Sequence, residues 1–227
     1  MGSQEYGLLM IFKDLLKYIL RYNKEFKRFL IQVLMIIGIC GRKRAGKTEV
    51  AKILEEDYGF LRLSFRQVVL EEALKRDLGS DTGILQTLGY SERIEKGVYV
   101  WVDRLISMIK PRKNYVVEGI RYVEDATRLQ EKLNKKFHLV GIYASDGLRE
   151  RRTIEESLRK GRPGDPRTHE EFVAMDEKDR GIVGEGQKTD EVYRMAKHTI
   201  YNDKNDIIFL RRRVLELLQE LKFVIPK

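Results

Sequence analysis

Short apolar runs alternate with stretches of helical periodicity along most of the chain. The intervening stretches repeat their apolar residues at helical spacing, and the last of them predicts a helix over 206–222. Strands that alternate with helices indicate an α/β fold, in which helices cover both faces of a mostly parallel, five-stranded sheet as a three-layer sandwich. The apolar runs predict its strands at residues 35–40, 60–64, 115–117, 137–144 and 198–201.

The first 34 residues precede this alternation and follow a different pattern. Between residues 8 and 30, apolar residues recur on one helical stripe and basic residues on the opposite face, which predicts an amphipathic basic helix. It is either an extra helix packed on the domain, a surface for a membrane or a nucleic acid, or an extension of the gene model before a natural start at Met35. We therefore divide the chain into an N-terminal segment, 1–34, and a domain, 35–227.

Composition and charge restrict the setting in which this domain works. The 227 residues suffice for one domain with an appendage. Cys40 is the single cysteine, which excludes an internal disulfide and fits a reducing compartment, so we expect a cytoplasmic protein. The longest apolar run, residues 29–40, is too short to span a bilayer. A formal net charge of +9 indicates anionic partners, which include nucleotides, nucleic acids and membrane surfaces.

A glycine-bounded basic loop follows the first predicted strand. Residues 41–48, GRKRAGKT, satisfy the phosphate-loop pattern G-x-x-x-x-G-K-[ST], and a predicted helix follows, as the motif requires. The glycines let the backbone turn its N–H groups inward, the lysine supplies a charge for the outer phosphates, and the threonine hydroxyl can bind Mg²⁺. We therefore expect ATP or GTP with Mg²⁺. The predicted nucleotide-binding residues are Gly41, Arg42, Lys43, Arg44, Ala45, Gly46, Lys47, Thr48 and Glu49.

The three basic residues inside this loop allow two interpretations. One of Arg42, Lys43 and Arg44 can meet a phosphate, whereas at least one of them is expected to be exposed loop charge. The three histidines have no ligand-like spacing, and the single cysteine adds none, so we expect no zinc site.

Four stretches in order resemble a known group of enzymes: IGICGRKRAGKTEVAKIL, FLRLSF, ILQTLGYSERIEKGVYVWVDRLI and YVVEGIRYVEDA. They resemble the phage-type deoxynucleoside monophosphate kinases and the related dephospho-CoA kinases, members of the nucleoside monophosphate kinase group of P-loop proteins. The resemblance extends from about residue 35 to 222. It implies a kinase that transfers the γ-phosphoryl group of ATP directly to a phosphate-bearing acceptor, without a phosphorylated side chain.

The resemblance also implies where the acceptor and the metal bind. Ser64 and Arg66 match the acceptor-binding segment after the second strand, and Arg93 and Arg121 match arginines that hold the acceptor's phosphate. Glu118 ends a strand where the family commonly has an aspartate near the magnesium. We therefore expect Thr48 and Glu118 as metal ligands, with a water-mediated or a purely structural role for Glu118 left open.

Residues 149–180 are highly charged and are interrupted by glycine and proline, which is typical of a flap hinged over a nucleotide. By resemblance this segment is the kinase lid, and Arg149, Arg152, Arg162 and Arg167 are candidates for neutralising the transferring phosphoryl group. A solvated charged helix is the competing interpretation, and we favour Arg152 and Arg162. The predicted catalytic set is Lys47, Arg152, Arg162 and Glu118, and Asn202 is expected to contact the nucleotide base.

The acceptor that the sequence favours is a nucleoside or deoxynucleoside monophosphate, and dephospho-CoA is a second one. A protein of another class, a nucleic-acid-associated P-loop protein that uses ATP, also fits the net charge of +9. The sequence contains no basic and aromatic recognition motif for a nucleic acid, so we rank this alternative lower.

Overall fold

A computed structural model of the chain describes residues 34–160, 165–181 and 187–223. All strand pairings in it are parallel, in the order β2-β3-β1-β4-β5. This confirms the predicted α/β class with a five-stranded parallel sheet. The strands are β1 (Ile36–Cys40), β2 (Leu61–Ser64), β3 (Tyr115–Glu118), β4 (Phe137–Tyr143) and β5 (His198–Tyr201).

The helices follow the strands in the order that the periodicity predicts. A 3₁₀ turn, Asn134–Lys136, leads directly into β4. The helices are α1 (Lys47–Tyr58), α2 (Phe65–Lys75), α3 (Thr82–Lys96), α4 (Val100–Ser107), α5 (Val123–Leu133), α6 (Asp146–Lys160), α7 (His169–Arg180), α8 (Thr189–Arg194) and α9 (Ile207–Glu220).

Alternation along β1 separates the core into two layers. All five residues of β1 are buried, as expected for the central strand of a sheet covered on both faces. Ile36 and Cys40 pack into the cluster that helices α2, α3, α4, α5 and α8 complete. Ile37 and Ile39 face the opposite cluster, where α1 and α9 pack. The two clusters fill the two interfaces between the sheet and its helix layers, as in a three-layer sandwich.

The topology places the loop that follows β1 at the middle of one edge of the sheet. Because all strands are parallel, their carboxyl ends meet at one edge, and β1 lies at the centre of it. The strands on either side of β1 are β3 and β4. In open α/β sheets, ligands bind at such a point, outside the carboxyl ends of the strands.

Two predicted features fall partly or wholly on parts of the chain outside the described residues. The predicted basic helix at 8–30 lies wholly in the segment before residue 34. The predicted lid, 149–180, corresponds to most of α6 and to α7, with residues 161–164 between them outside the description. Within the described ranges, none of the helices combines the length and apolarity needed to cross a membrane.

Candidate nucleotide-binding cleft

The loop between β1 and α1 has the curled backbone that the glycine positions predict. Gly41 and Gly46 have φ angles of 130° and 103°, and Arg44 lies between them at 65°. A side chain at Gly41 would meet the carbonyl oxygen of Ile142 at 2.3 Å, so the loop packs directly against β4. Positive φ and close packing both require glycine here.

Lys47 begins α1 and turns back over the loop. Its Nζ donates hydrogen bonds to the carbonyl oxygens of Gly41 and Arg42, at 2.7 and 2.8 Å. Burial and the charge of Arg121 lower the pKa of Lys47 to about 8, while Asp179 acts in the opposite direction. A nearby anion would stabilise the charged form of this ammonium group.

An open cleft of about 750 Å³ lies beside the loop, within the size range of small-molecule sites. Its walls come from the phosphate loop, α6, and the turn between β5 and α9. Most of its charged residues are basic, and its acidic residues are Glu49, Glu155, Glu156 and Asp206. The predicted site residues that line it are Lys43, Arg44, Gly46, Lys47, Thr48, Glu49, Arg121, Arg152 and Asn202.

Arg152 is the lid candidate that lines this cleft, together with Arg159 of the same helix. Its guanidinium group donates to the carbonyl oxygens of Arg44, Asn202 and Lys204, at 3.2 to 3.3 Å. Burial lowers the pKa of Arg152, and neighbouring Arg151 lowers it further. Among the described residues its hydrogen-bond partners are neutral oxygens. Arg152 therefore places positive charge at the cleft, and the opposing charge that acts on it is Asp203, with which it makes no hydrogen bond in the described part of the chain.

Asn202 braces the loop from behind. Its side chain is 4% exposed, and Nδ2 donates to the carbonyl oxygen of Ala45 at 2.9 Å. A side chain at Gly46 would lie 2.2 Å from this nitrogen. Asn202 therefore holds the loop in shape, and its expected contact with a nucleotide base stays a prediction.

The basic loop residues are used differently from what the sequence suggests. Arg42, Lys43 and Arg44 are all partly buried, so the expectation of at least one exposed loop charge is wrong. Arg42 forms a bidentate pair with Asp190 at 2.8 and 3.1 Å, and Arg44 pairs with Glu156. These charges attach the loop to α8 and α6.

The two arginines predicted to hold the acceptor's phosphate lie in different surroundings. Arg121 lines the cleft and pairs with Asp179 at 3.0 Å. Arg93 instead pairs with the fully buried Asp125 at 2.6 Å and stacks over Tyr122. Burial raises the pKa of Asp125 to about 6, and Arg93 opposes this shift. Arg121 is therefore placed to meet a ligand, whereas Arg93 is engaged in holding α3 against α5.

Two of the remaining acceptor and metal candidates line a separate cavity of about 490 Å³ beside β2. Ser64 and Glu118 both line it, and Glu118 binds Arg62 through contacts of 2.6 and 3.1 Å. Arg66 is exposed and contacts the carbonyl oxygen of Ser80. The predicted metal ligands Thr48 and Glu118 thus line different cavities. No cluster of three or more His, Cys, Asp or Glu suited to a metal occurs in the described ranges.

Arg149 does not present its charge to the cleft. Its side chain is 1% exposed and pairs with Asp176 at 2.5 Å and with Asp146 at 2.9 Å. It also donates to the carbonyl oxygen of Lys43 at 3.2 Å. Two carboxylates already hold Arg149, so its charge is not available to neutralise a phosphoryl group, contrary to the expectation from the sequence. It connects the loop to α6 and α7.

Of the other two lid candidates, Arg167 does not line the cleft. Arg167 is exposed and lies just before α7, where its backbone N–H donates to Glu171 in the helix cap. Arg162 lies outside the described residues, so its predicted catalytic role stays a prediction.

Comparison with known proteins places this geometry in a family. No family model matches the chain. A UPF0200 protein of Pyrococcus abyssi is 30% identical over 192 residues, which cover 80% of this chain and 97% of that relative. The chain belongs to the UPF0200 family. A UPF0200 protein of Pyrobaculum aerophilum is 29% identical over 195 residues, which cover 85% of this chain and the whole relative.

Solved structures support the fold of this UPF0200 chain. A shikimate kinase from Acinetobacter baumannii, in complex with shikimate, matches with a TM-score of 0.54 at 18% identity. The match covers 86% of this chain and 98% of the kinase. The protein TT1252 of Thermus thermophilus matches with a TM-score of 0.52 at 20% identity over 82% of this chain and 97% of its own. At these identities the likeness shows the fold alone, a parallel sheet covered by helices on both faces.

The sequence did not identify the acidic residues that surround the phosphate loop of the UPF0200 chain. Asp176 holds Arg149, Asp190 holds Arg42, and a carboxylate oxygen of Asp179 accepts from the backbone N–H of Lys43 at 3.2 Å. The three-residue spacing of Asp176 and Asp179 places both on one face of α7. That spacing is a signal in the sequence, but it does not show that the face turns towards the loop.

Proposed function

We propose that the protein is a phosphotransferase that moves the γ-phosphoryl group of ATP to a phosphate-bearing small molecule. The observation that carries this proposal is the curled loop with the desolvated Lys47, which opens into a basic cleft. A triphosphate needs several donors directed at one place, and the loop backbone with the start of α1 supplies them.

The residues of the cleft have separate tasks in this proposal. The loop N–H groups and Lys47 bind the donor's phosphates, and Arg152 adds positive charge where the transferring group becomes more anionic. Thr48 is exposed in the first turn of α1 and lines the cleft, so its hydroxyl fits a metal that accompanies the triphosphate. When bound there, Mg²⁺ neutralises phosphate charge. Glu118 would act on it through water or serve only to hold Arg62.

The acceptor carries a phosphate, because Arg121 lines the same cleft as Lys47. A guanidinium group binds phosphate in two parallel contacts and draws two anionic substrates together. The sequence resemblance favours a nucleoside or deoxynucleoside monophosphate, with dephospho-CoA as the alternative. Ser64, Arg66 and Arg93 are the further positions that this resemblance assigns to the acceptor.

ATP consumption across a panel of acceptors tests the proposal. The panel contains nucleoside and deoxynucleoside monophosphates, dephospho-CoA and oligonucleotides, each with Mg²⁺. We expect turnover that depends on a small phosphate-bearing acceptor. Turnover stimulated only by oligonucleotide, with binding that weakens steeply as salt rises, would favour the nucleic-acid-associated alternative instead.

Removal of Lys47 gives the matching genetic test. We expect Lys47→Ala to abolish turnover and ATP binding while the fold remains intact, because the side chain contacts loop carbonyls rather than the core. Lys52→Ala is the control, since Lys52 lies on the same helix, is 46% exposed and pairs only with Glu49 among the described residues. Isothermal titration with ATP and a turnover assay measure both effects. Equal activity of the two variants would contradict the proposal.

A further inference from the structure

A carboxylate of α7 lies between the phosphate loop and the acceptor arginine. Asp179 is 8% exposed. One of its oxygens accepts from the backbone N–H of Lys43 at 3.2 Å, and the other accepts from Arg121 at 3.0 Å. It is also close enough to Lys47 to raise the pKa of that lysine against the effect of burial. A single acidic group thus faces the loop, the catalytic lysine and the arginine that we assign to the acceptor.

This position is unfavourable for transfer between two phosphates. A nucleophilic phosphate oxygen brings its own negative charge next to the donor's, and a third anion between them would oppose both. Such a nucleophile is already ionised near neutral pH and has no proton to lose. An alcohol has the opposite requirement, because its hydroxyl becomes nucleophilic towards phosphorus only as it loses a proton. A carboxylate between donor and acceptor suits the alcohol.

We infer that Asp179 orients a hydroxyl group of the acceptor and accepts its proton, so that the acceptor is a phosphate-bearing alcohol. This inference rests on the proposed phosphoryl transfer and narrows its acceptor. The hydroxyl oxygen forms a bond to the γ-phosphorus, and the bond from that phosphorus to the bridging oxygen breaks. ADP leaves with the electron pair, and the hydroxyl proton passes to the carboxylate of Asp179. Arg121 holds the acceptor's existing phosphate.

The surroundings fix Asp179 for this task. Its backbone carbonyl oxygen accepts from the hydroxyl of Thr189 at 2.5 Å, which joins the end of α7 to the start of α8. The residue before Thr189, Lys188, donates its backbone N–H to the carbonyl oxygen of Arg121 at 2.8 Å. The carboxylate and the arginine are therefore held by the same short segment. A fixed distance between them is what an oriented acceptor requires.

The bond that forms in the product gives a direct test. Transfer to an alcohol yields a phosphate ester, whereas transfer to a phosphate oxygen yields a phosphoanhydride, and ³¹P NMR distinguishes the two. We expect the wild-type protein to form an ester when nucleosides, nucleoside monophosphates and dephospho-CoA are offered with Mg-ATP. A phosphoanhydride as the main product would overturn the inference while leaving the proposed function intact. Absence of both ATP binding and turnover would overturn the proposed function itself.

The Asp179→Asn variant tests the residue. Asparagine keeps the shape and can still accept from Lys43, so we expect ATP binding to persist and kcat to fall by about 10²–10⁴-fold, the usual contribution of proton transfer by a side chain. Asp179→Glu should recover part of the rate, because it restores a carboxylate. The control is Glu177→Gln, the same chemical change two residues earlier on α7.

A purely structural or obstructing carboxylate would behave differently. Equal kcat in Asp179→Asn and wild type, or a faster variant, would overturn the inference. Thermal melting with and without ADP shows whether a loss of kcat in Asp179→Asn comes from unfolding. If it does, the comparison of Asp179→Glu with wild type replaces it as the test. If the panel contains no acceptor that reacts, the slow hydrolysis of ATP is compared instead, because water is also a hydroxyl nucleophile. Asp179→Asn is expected to slow that hydrolysis as well.

Discussion

Gly46 meets two requirements at one position. Its φ of 103° is unfavourable for any residue with a side chain, and an added Cβ would lie 2.2 Å from Nδ2 of Asn202. We expect Gly46→Ala to weaken ATP binding strongly, since relief of the contact would displace the amide that braces the loop. Isothermal titration measures the loss. In the double variant Gly46→Ala/Asn202→Ala the contact disappears but the strain at φ remains, so we expect only part of the ATP affinity to return. Full return of the affinity would show that the strain is unimportant.

The lowered pKa of Lys47 predicts that ATP affinity depends on pH, which can be measured without knowing the acceptor. Its pKa is lowered to about 8 in the ligand-free protein, and a bound triphosphate should raise this pKa because the anion favours the ammonium form. ATP binding near pH 8.5 should therefore take up a proton, and ATP affinity should fall as pH rises from 7 to 9. Calorimetry in buffers of different ionisation enthalpy detects the uptake. Lys47→Arg stays charged throughout, so it should show no uptake.

Residues of the phosphate loop could be predicted from the sequence because their contacts are local. The spacing of Gly41, Gly46 and Lys47 encodes the backbone shape and the placement of the lysine within eight residues. The partners of that loop, Asp179 and Asp190, come from elements more than a hundred residues later. Nothing in the periodicity of those helices indicates which of their acidic residues turns towards the loop, so only the structure identifies them.

At the scale of elements, α6 and α7 are attached to the loop through one buried cation. Arg149 is 1% exposed and joins Asp146, Asp176 and the carbonyl oxygen of Lys43. We expect Arg149→Met to lower the free energy of unfolding by about 3–5 kcal/mol, because it leaves Asp176 buried without its partner. Urea unfolding measures the change. Arg151→Met is the control: Arg151 is 59% exposed, and its pair with Glu155 is worth at most about 1 kcal/mol.

A double substitution separates lost charge from lost packing. Arg149→Met/Asp176→Leu removes both charges, so it should recover much of the stability that Arg149→Met loses. If the double variant is as unstable as the single one, packing of the guanidinium against Phe172 is the larger contribution.

The elements themselves were predicted more completely than their functions. Strands were recognisable because each buried strand is a short apolar run, and the structure places all five within two residues of the expected bounds. The role of the lid was inferred from charge and helix breakers, which do not distinguish an arginine that faces solvent from one that is buried. Arg149 shows the difference, since its burial depends on Asp176 on another helix.

At the scale of the whole molecule, the described domain contains a complete sheet and both cavities without residues 1–33. Met35 is 8% exposed and its backbone N–H donates to Asn114, so the chain is already fixed at that point. We propose that residues 1–34 are an appendage, and that a protein beginning at Met35 keeps its fold and its turnover. Circular dichroism and the ATP assay check this. Insoluble truncated protein would instead indicate that the segment covers apolar surface.

The central position of β1 has a consequence for biogenesis. β1 leaves the ribosome first among the strands, but it is flanked in the finished sheet by β3 and β4, and Cys40, just before the loop, pairs with Gly141 of β4. Parallel pairings between distant segments form late. In a nascent chain the phosphate loop is therefore synthesised long before the strands and helices that pack against it. If the loop binds ATP as proposed, retention of the nucleotide would require synthesis through Asn202, which braces the loop. Cellular ATP would stabilise only finished molecules, and truncated ones would be left to proteolysis.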